Sequence, residues 1–137
     1  MPRRLYQQVA DRADHRCEYC MAPEAVSPDR FQVEHILPRR RGGTDGLPNL
    51  ALSCSLCNRR KATATQAIDF ETRTIVTLFN PRHDDWDVHF NVRPVLSGIE
   101  IVGLTPIGRA TVDRLAMNEG HAVRARQIWL MTGLFPP

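Results

Sequence analysis

Four cysteines form two Cys-x2-Cys pairs, Cys17 with Cys20 and Cys54 with Cys57, and 33 residues separate the pairs. No segment looks like a secretion signal, so we expect the thiols to stay reduced rather than to form disulfides. Two such pairs can surround one tetrahedral ion with four sulfur ligands, which suits zinc. Because four protein ligands leave no position for a substrate, this zinc is predicted to be structural. Two redox-active pairs, or unrelated buried thiols, are the alternative interpretations.

A second set of residues that could do chemistry lies between the cysteine pairs and directly after them: Glu34, His35, Asn49 and Asn58. Hydrolysis of a phosphodiester needs a base for the attacking water and a cation that neutralises charge on the phosphate. His35 is the candidate base, because histidine exchanges protons readily near neutral pH. Glu34 and Asn58 offer the oxygen ligands that Mg²⁺ or Mn²⁺ prefers. Taken singly, His35 is better explained as a hydrogen-bonded core histidine, and each asparagine as a turn or cap residue.

The surrounding sequence predicts the elements that must position these residues. An apolar stripe predicts a helix over 3–14, and alternating residues predict a strand over 31–36 that Pro38 ends. A turn rich in arginine and glycine follows over 39–46, then an extended segment over 49–53 and a helix over 55–67. Neighbouring residues of a strand point to opposite faces, so Glu34 and His35 can share one site only near a strand end.

The second half of the chain predicts a small antiparallel sheet followed by helices. The strands are expected at 74–79, 88–95 and 99–104, and Thr105-Pro106 is a typical helix start for a segment that runs to 117. Asn118 is expected to cap a last helix that ends near Gly133. We therefore predict an α+β fold in a single domain over 1–137, with a zinc-braced core over 1–67 and a C-terminal extension over 68–137 packed on it.

Composition and charge point to a soluble protein with a polyanionic partner. The chain has 137 residues, is 42% hydrophobic and 24% charged, and contains no apolar run of the roughly 18 residues that a membrane span requires. We expect a cytoplasmic protein. The net charge is only +3, but six basic residues lie between 35 and 65 against the single acidic residue Asp45. This basic set is predicted to contact nucleic-acid phosphates, with a solvated charged face as the alternative: Arg39, Arg40, Arg41, Arg59, Arg60 and Lys61.

Between about Cys17 and Lys61 the pattern C-E-Y-C … V-E-H-I-L-P-R … G-G-T … N-L … C-S-L-C-N-R-R-K resembles the HNH endonuclease family. It is similar to the branch whose ββα-metal core is braced by a four-cysteine zinc. The resemblance implies that His35 is the general base and that Glu34 and Asn58 bind the catalytic cation. Asn49 would hold the two-stranded finger and the His35 backbone in place. Glu34 stands where aspartate is usual, and Asn58 stands where histidine is frequent.

Our leading hypothesis is therefore a metal-dependent endonuclease that cleaves DNA, with structural Zn²⁺ and catalytic Mg²⁺ or Mn²⁺. Its contacts would be to the DNA backbone, with little sequence specificity. Two hypotheses from other classes remain open. One is a non-catalytic, zinc-dependent nucleic-acid binding module. The other is a structural zinc protein that docks partners through the C-terminal extension.

Overall fold

The predicted α+β class is confirmed by the computed structural model, which describes residues 2–137. The α-helices are α1 (Arg3–Arg12), α2 (Ser55–Lys61), α3 (Trp86–His89), α4 (Pro106–Arg114) and α5 (Gly120–Met131). The strands are β1 (Gln32–His35), β2 (Leu50–Ser53), β3 (Gln66–Asp69), β4 (Thr74–Thr77), β5 (Phe90–Val95) and β6 (Gly98–Gly103). Short 3₁₀ turns cover Glu24–Val26, Arg39–Arg41 and Leu47–Asn49. In the part of the chain that the structure describes, no helix is long and apolar enough to cross a membrane.

The β1–β2 hairpin and α2 form the ββα unit that carries the predicted site. The two strands are antiparallel, with Glu34 opposite Ala51 and His35 opposite Leu50. Helix α2 was predicted to reach residue 67, but it ends at Lys61 because Ala62 adopts a left-handed φ of 50°. Residues 66–69 then form β3, a strand that the sequence analysis did not predict. The predicted core boundary at residue 67 therefore falls inside β3.

The single C-terminal sheet that was predicted is replaced by two separate hairpins. Strand β3 pairs with β4, and β5 pairs with β6, both in antiparallel register. Helix α4 starts as predicted, since the Thr105 hydroxyl accepts a 3.0 Å hydrogen bond from the Gly108 amide. The cap of α5 is Glu119 rather than Asn118. The Asn118 side chain instead bonds to both the amide and the carbonyl of Ile101, at 2.8 Å each, which joins the start of α5 to β6.

Both parts of the chain contribute to one buried core. The core cluster unites Val9 of α1 and Leu52 of β2 with Phe79, Phe90 and Leu115 from beyond residue 67. The Trp86 indole donates a 2.8 Å hydrogen bond to the Tyr19 carbonyl inside the first cysteine pair. Residues from beyond position 67 thus contact the loop of the first cysteine pair and share a core cluster with α1 and β2.

Two glycines allow the loop after β1 to fold back on itself. Gly42 has a φ of 94°, in the left-handed region that favours glycine. Gly43 lies so close to the preceding strand end that a Cβ atom there would be 1.7 Å from the Leu37 carbonyl oxygen. A side chain at this position therefore requires the backbone to move.

We predict that Gly43→Ala destabilises the metal-loaded protein by about 2 kcal/mol, the usual cost of forcing extra atoms into a packed site. Gly46→Ala is the matched control, because a Cβ at Gly46 has no neighbour closer than 3.5 Å. Urea denaturation followed by circular dichroism measures both variants. Equal stability of the two would contradict the close approach at Gly43.

Candidate metal centre and active site

The four cysteines converge on one point. Their sulfur atoms all lie within 4.8 Å of one another, and the Cys20 and Cys54 sulfurs are 3.9 Å apart. A tetrahedral zinc with bonds of about 2.3 Å places neighbouring sulfurs about 3.8 Å apart. All four thiols are free. The cluster is therefore positioned to hold a metal ion, and its sulfur-only donor set suits zinc.

Backbone geometry brings the two cysteine pairs together. In the first pair, the Cys17 amide bonds to the Ala22 carbonyl at 2.9 Å, which closes the loop. That loop docks on β2, because the Glu18 amide donates to the Leu52 carbonyl at 2.9 Å. In the second pair, Cys54 is the N-cap of α2, and its sulfur accepts a 3.4 Å hydrogen bond from the Cys57 amide. Hydrogen bonds from the Cys17, Cys20 and Cys57 thiols lower the pKa of Cys54.

His35 is the last residue of β1, and its ring is paired with a carboxylate that the sequence analysis did not single out. Its Nε2 lies 2.7 Å from Asp45 Oδ1, and Arg39 Nε lies 2.7 Å from the same oxygen. The hydrogen bonds from His35 and Arg39 lower the pKa of Asp45, which therefore stays ionised. An ionised carboxylate only accepts, so in a neutral imidazole Nε2 carries the proton and Nδ1 has the free lone pair.

Asn49 ties together the two ends of the loop that follows His35. Its Oδ1 accepts a 2.9 Å hydrogen bond from the Leu37 amide, and its Nδ2 donates to the carbonyls of Leu37 and Thr44 at 3.0 and 2.9 Å. The Asn49 carbonyl also accepts from the Ile36 amide at 2.9 Å. One side chain thus holds both the end of β1 and the glycine turn, which is the arrangement that a positioning role needs.

Glu34 lies in the interior, away from the ring of His35. It is only 4% exposed, and its carboxylate accepts a hydrogen bond from the Tyr19 hydroxyl. Its Oε2 is 3.4 Å from Lys61 Nζ, which itself donates to the Ile36 carbonyl at 3.2 Å. Burial raises the pKa of Glu34, and the charge of Lys61 opposes that rise. Our expectation that Glu34 binds a catalytic cation therefore does not fit this structure, because its charge is already balanced by buried Lys61.

The second expected cation ligand, Asn58, has a different partner. Its Nδ2 donates a hydrogen bond to Gln32 Oε1, on the exposed side of α2. Glu34 and Asn58 are thus not brought together as a ligand pair. Within residues 2–137, the four cysteines are also the one group of three or more histidine, cysteine or acidic side chains whose ligand atoms are close enough together to hold a metal ion.

The six basic residues predicted to contact nucleic acid divide into two groups. Four are exposed: Arg39, Arg40, Arg41 and Arg59. Arg40 and Arg41 bond to the hydroxyls of Thr63 and Thr65 at 3.0 and 2.8 Å, so the arginine turn lies beside the segment after α2. The other two point elsewhere. Arg60 bonds to the carbonyls of Leu115 and Ala116, and Lys61 is 1% exposed, so the expectation that Lys61 contacts phosphate is wrong.

Asp45 is the candidate site residue that the sequence analysis missed. The signal was present, because Asp45 is the single acidic residue in a strongly basic segment and follows a Gly-Gly turn. Sequence spacing does not show that the turn folds back onto the end of β1. That contact depends on Asn49 and on the close approach of Gly43 to Leu37.

Comparison with known proteins gives a family match within the first half of the chain. Residues 17–63 match the family model described as HNH endonuclease, which covers 47 of the 137 residues. No curated protein and no solved structure matches the chain. The matched segment contains all four cysteines together with His35 and Asn49. The resemblance inferred from the motifs is therefore confirmed as a match to the HNH endonuclease family over residues 17–63. The family suggests nuclease activity and a nucleic-acid substrate.

We predict about one zinc ion per purified chain, measured by inductively coupled plasma spectrometry on reduced protein. A strong chelator should unfold the protein, because four buried or half-buried thiols are then left without their ion. Cys54→Ser should lower both the zinc content and the melting temperature. Reduced protein that lacks zinc and melts at the same temperature as the zinc-loaded form would contradict this prediction.

We also predict that Lys61→Met destabilises the protein by about 3–5 kcal/mol, because it leaves the Glu34 carboxylate buried without its partner. Glu34→Gln combined with Lys61→Met should recover part of that loss. Removal of Lys61 raises the pKa of Glu34 further, so the folded state keeps a proton that the unfolded chain releases. The destabilisation of Lys61→Met should therefore grow as the pH rises above the ordinary glutamate range.

Urea denaturation in acidic and in mildly alkaline buffer tests this pair. The double variant is the control, since it has no titrating carboxyl group at position 34. A Lys61→Met protein as stable as the wild type at both pH values would show that the ion pair is unimportant.

Proposed function

We propose that this chain is an endonuclease that hydrolyses phosphodiester bonds in DNA, with His35 as the general base. The observation that carries the proposal is the 2.7 Å hydrogen bond between His35 and Asp45 at the end of β1, inside the segment that matches the HNH family. A half-buried imidazole with one nitrogen fixed by a carboxylate is suited to accept a proton from water with its other nitrogen.

In this mechanism Asp45 orients the ring and stabilises the imidazolium that forms when Nδ1 takes the proton of the attacking water. Asn49 holds the end of β1 and the Asp45 loop in register through its three side-chain hydrogen bonds. A positioned base contributes typically 10²–10⁴-fold to such a step. The Mg²⁺ or Mn²⁺ expected from the family would neutralise charge on the phosphate. Glu34 and Asn58 do not form a ligand pair here, so these two residues do not fit that ion.

The DNA backbone would lie along the exposed arginines of the ββα unit. Arg39, Arg40 and Arg41 stand on the turn that also carries Asp45, and Arg59 stands on the exposed side of α2. Arginine forms bidentate contacts with phosphate, which favour binding without reading of base sequence. We therefore propose DNA as the partner, bound with strong salt dependence.

We further propose that 1–137 acts as one domain. The buried core shared by Val9, Leu52, Phe90 and Leu115 supports this, as does the hydrogen bond between Trp86 and Tyr19. The extension over 68–137 would then stabilise the nuclease core rather than work apart from it.

A second candidate function is a non-catalytic nucleic-acid binding module. The observation that favours it is the enclosure of Glu34 by Tyr19 and Lys61, which removes the expected carboxylate ligand of a catalytic cation. This function predicts salt-sensitive DNA binding with no cleavage in any divalent metal.

We predict that the wild-type protein nicks supercoiled plasmid DNA in Mg²⁺ or Mn²⁺, and that His35→Ala lowers the rate at least about 100-fold. Asp45→Asn should lower the rate about tenfold or more, since it removes the charge that supports the imidazolium. His121→Ala is the matched control, because this histidine is exposed on α5 and should leave the rate unchanged.

Gel-shift binding of the same variants separates the two candidate functions. His35→Ala should bind DNA as tightly as the wild type if His35 acts in chemistry alone. Equal cleavage by wild type and His35→Ala would refute the mechanism. Binding without cleavage by the wild type in every metal would establish the binding module instead.

A further inference from the structure

Arg126 of α5 is a buried cation without a carboxylate partner. It is 1% exposed, and among residues 2–137 it forms no ion pair with an acidic side chain. Its Nη1 donates to the Ile99 carbonyl and the Asn118 side chain at 3.1 and 3.2 Å, and its Nη2 donates to the Met117 carbonyl. Its Nε donates to no protein atom. Burial of an unbalanced charge is costly, so a negative group is needed nearby.

Arg126 and three of the four cysteines face the same cavity. A cavity of about 350 Å³ is lined by Arg126 together with Cys20, Cys54 and Cys57. The one carboxylate that lines this cavity, Asp29, lies on its exposed side. Burial lowers the pKa of Arg126, and the charges of Cys20, Cys57 and Cys54 oppose that fall.

Electrostatics explains why such a cation is useful there. Four thiolates around one Zn²⁺ carry a formal charge of −2, and this charge lies in a mostly buried site. Arg60 lines the same cavity, but its guanidinium bonds to the carbonyls of Leu115 and Ala116 at 3.2 and 3.1 Å. Arg126 combines near-complete burial, the absence of an acidic partner and a donor that has no protein acceptor.

We propose that Arg126 is the counter-charge of the four-cysteine metal centre, supplied by the C-terminal extension. Groups around a metal site commonly change metal affinity without touching the ion. The extension would thus retain the metal as well as cover the core. The proposal does not depend on whether the chain cleaves DNA.

A purely structural role makes a different prediction. In that case Arg126 only joins α5 to the backbone carbonyls of Ile99 and Met117, and its charge has no effect on the metal. Lysine keeps the charge of arginine but has neither its planar fork nor its Nε donor. Arg126→Lys and Arg126→Gln therefore separate charge from hydrogen bonding.

The test measures the rate at which full-length, zinc-loaded protein loses zinc to a chromophoric chelator. We expect Arg126→Gln to lose zinc about 10–100-fold faster than the wild type, as for other groups around metal sites. Arg126→Lys should stay within about threefold of the wild type, since the charge is kept. Arg124→Gln, an exposed arginine on the same helix, should leave the rate unchanged. Equal rates for Arg126→Gln and wild type, or for Arg126→Lys and Arg126→Gln, would overturn the proposal.

A measurement on the unmodified chain covers the case in which Arg126→Gln does not fold. Nitrogen-15 NMR of the arginine side chains is compared between the Zn²⁺-loaded protein and the paramagnetic Co²⁺-loaded protein, with the resonance assigned from Arg126→Lys. The Nε–H resonance of Arg126 should be displaced strongly in the Co²⁺ form, while that of Arg124 stays near its position. An Arg126 resonance at the same position in both forms would overturn the proposal.

Discussion

The buried ion pair between Glu34 and Lys61 is the interaction that joins the two strands and the helix of the ββα unit to the loop of the first cysteine pair. Glu34 lies in β1, Lys61 is the last residue of α2, and the Tyr19 hydroxyl reaches Glu34 from the first cysteine pair. Lys61 also bonds to the Ile36 carbonyl, immediately after His35. Strand β1, helix α2 and the loop of the first cysteine pair therefore meet at one buried cluster of polar side chains. In a water-free environment such a contact holds only when both charges are present.

Much of the fold could be predicted because its signals are local. The spacing of the two Cys-x2-Cys pairs is enough to predict a cluster that could hold a metal ion. Thr105 caps α4 through a hydrogen bond to a residue only three positions further along the chain. The alternation of apolar and polar residues that predicts β1 arises because one face of the strand is buried and the other is exposed. The hairpins of the second half were predicted as strands but not as separate pairs, because pairing depends on contacts distant in sequence.

The candidate site was only partly predictable, for the same physical reason. A glutamate beside a histidine indicates a cation ligand as readily as a buried ion pair, and the choice depends on Lys61, 27 positions further along the chain. Asp45 is recognised as a candidate site residue only in the folded structure, where the loop places it beside His35 at the end of β1. Helix α2 ends earlier than predicted because the backbone of Ala62 adopts a positive φ, although alanine is a residue that favours helix.

The alternation of β1 has a consequence for how this surface can vary. Glu34 is locked in the interior while His35, the next residue, faces the loop. The backbone at His35 is therefore held by buried side chains, while the orientation of its ring is set by Asp45. Arg40 and Arg41 of the neighbouring turn bond to Thr63 and Thr65, so they can be exchanged without disturbing the hydrogen bond between His35 and Asp45, whereas Arg39 contacts Asp45 directly. The surface that carries Arg40 and Arg41 can thus change in sequence while the position of His35 stays fixed.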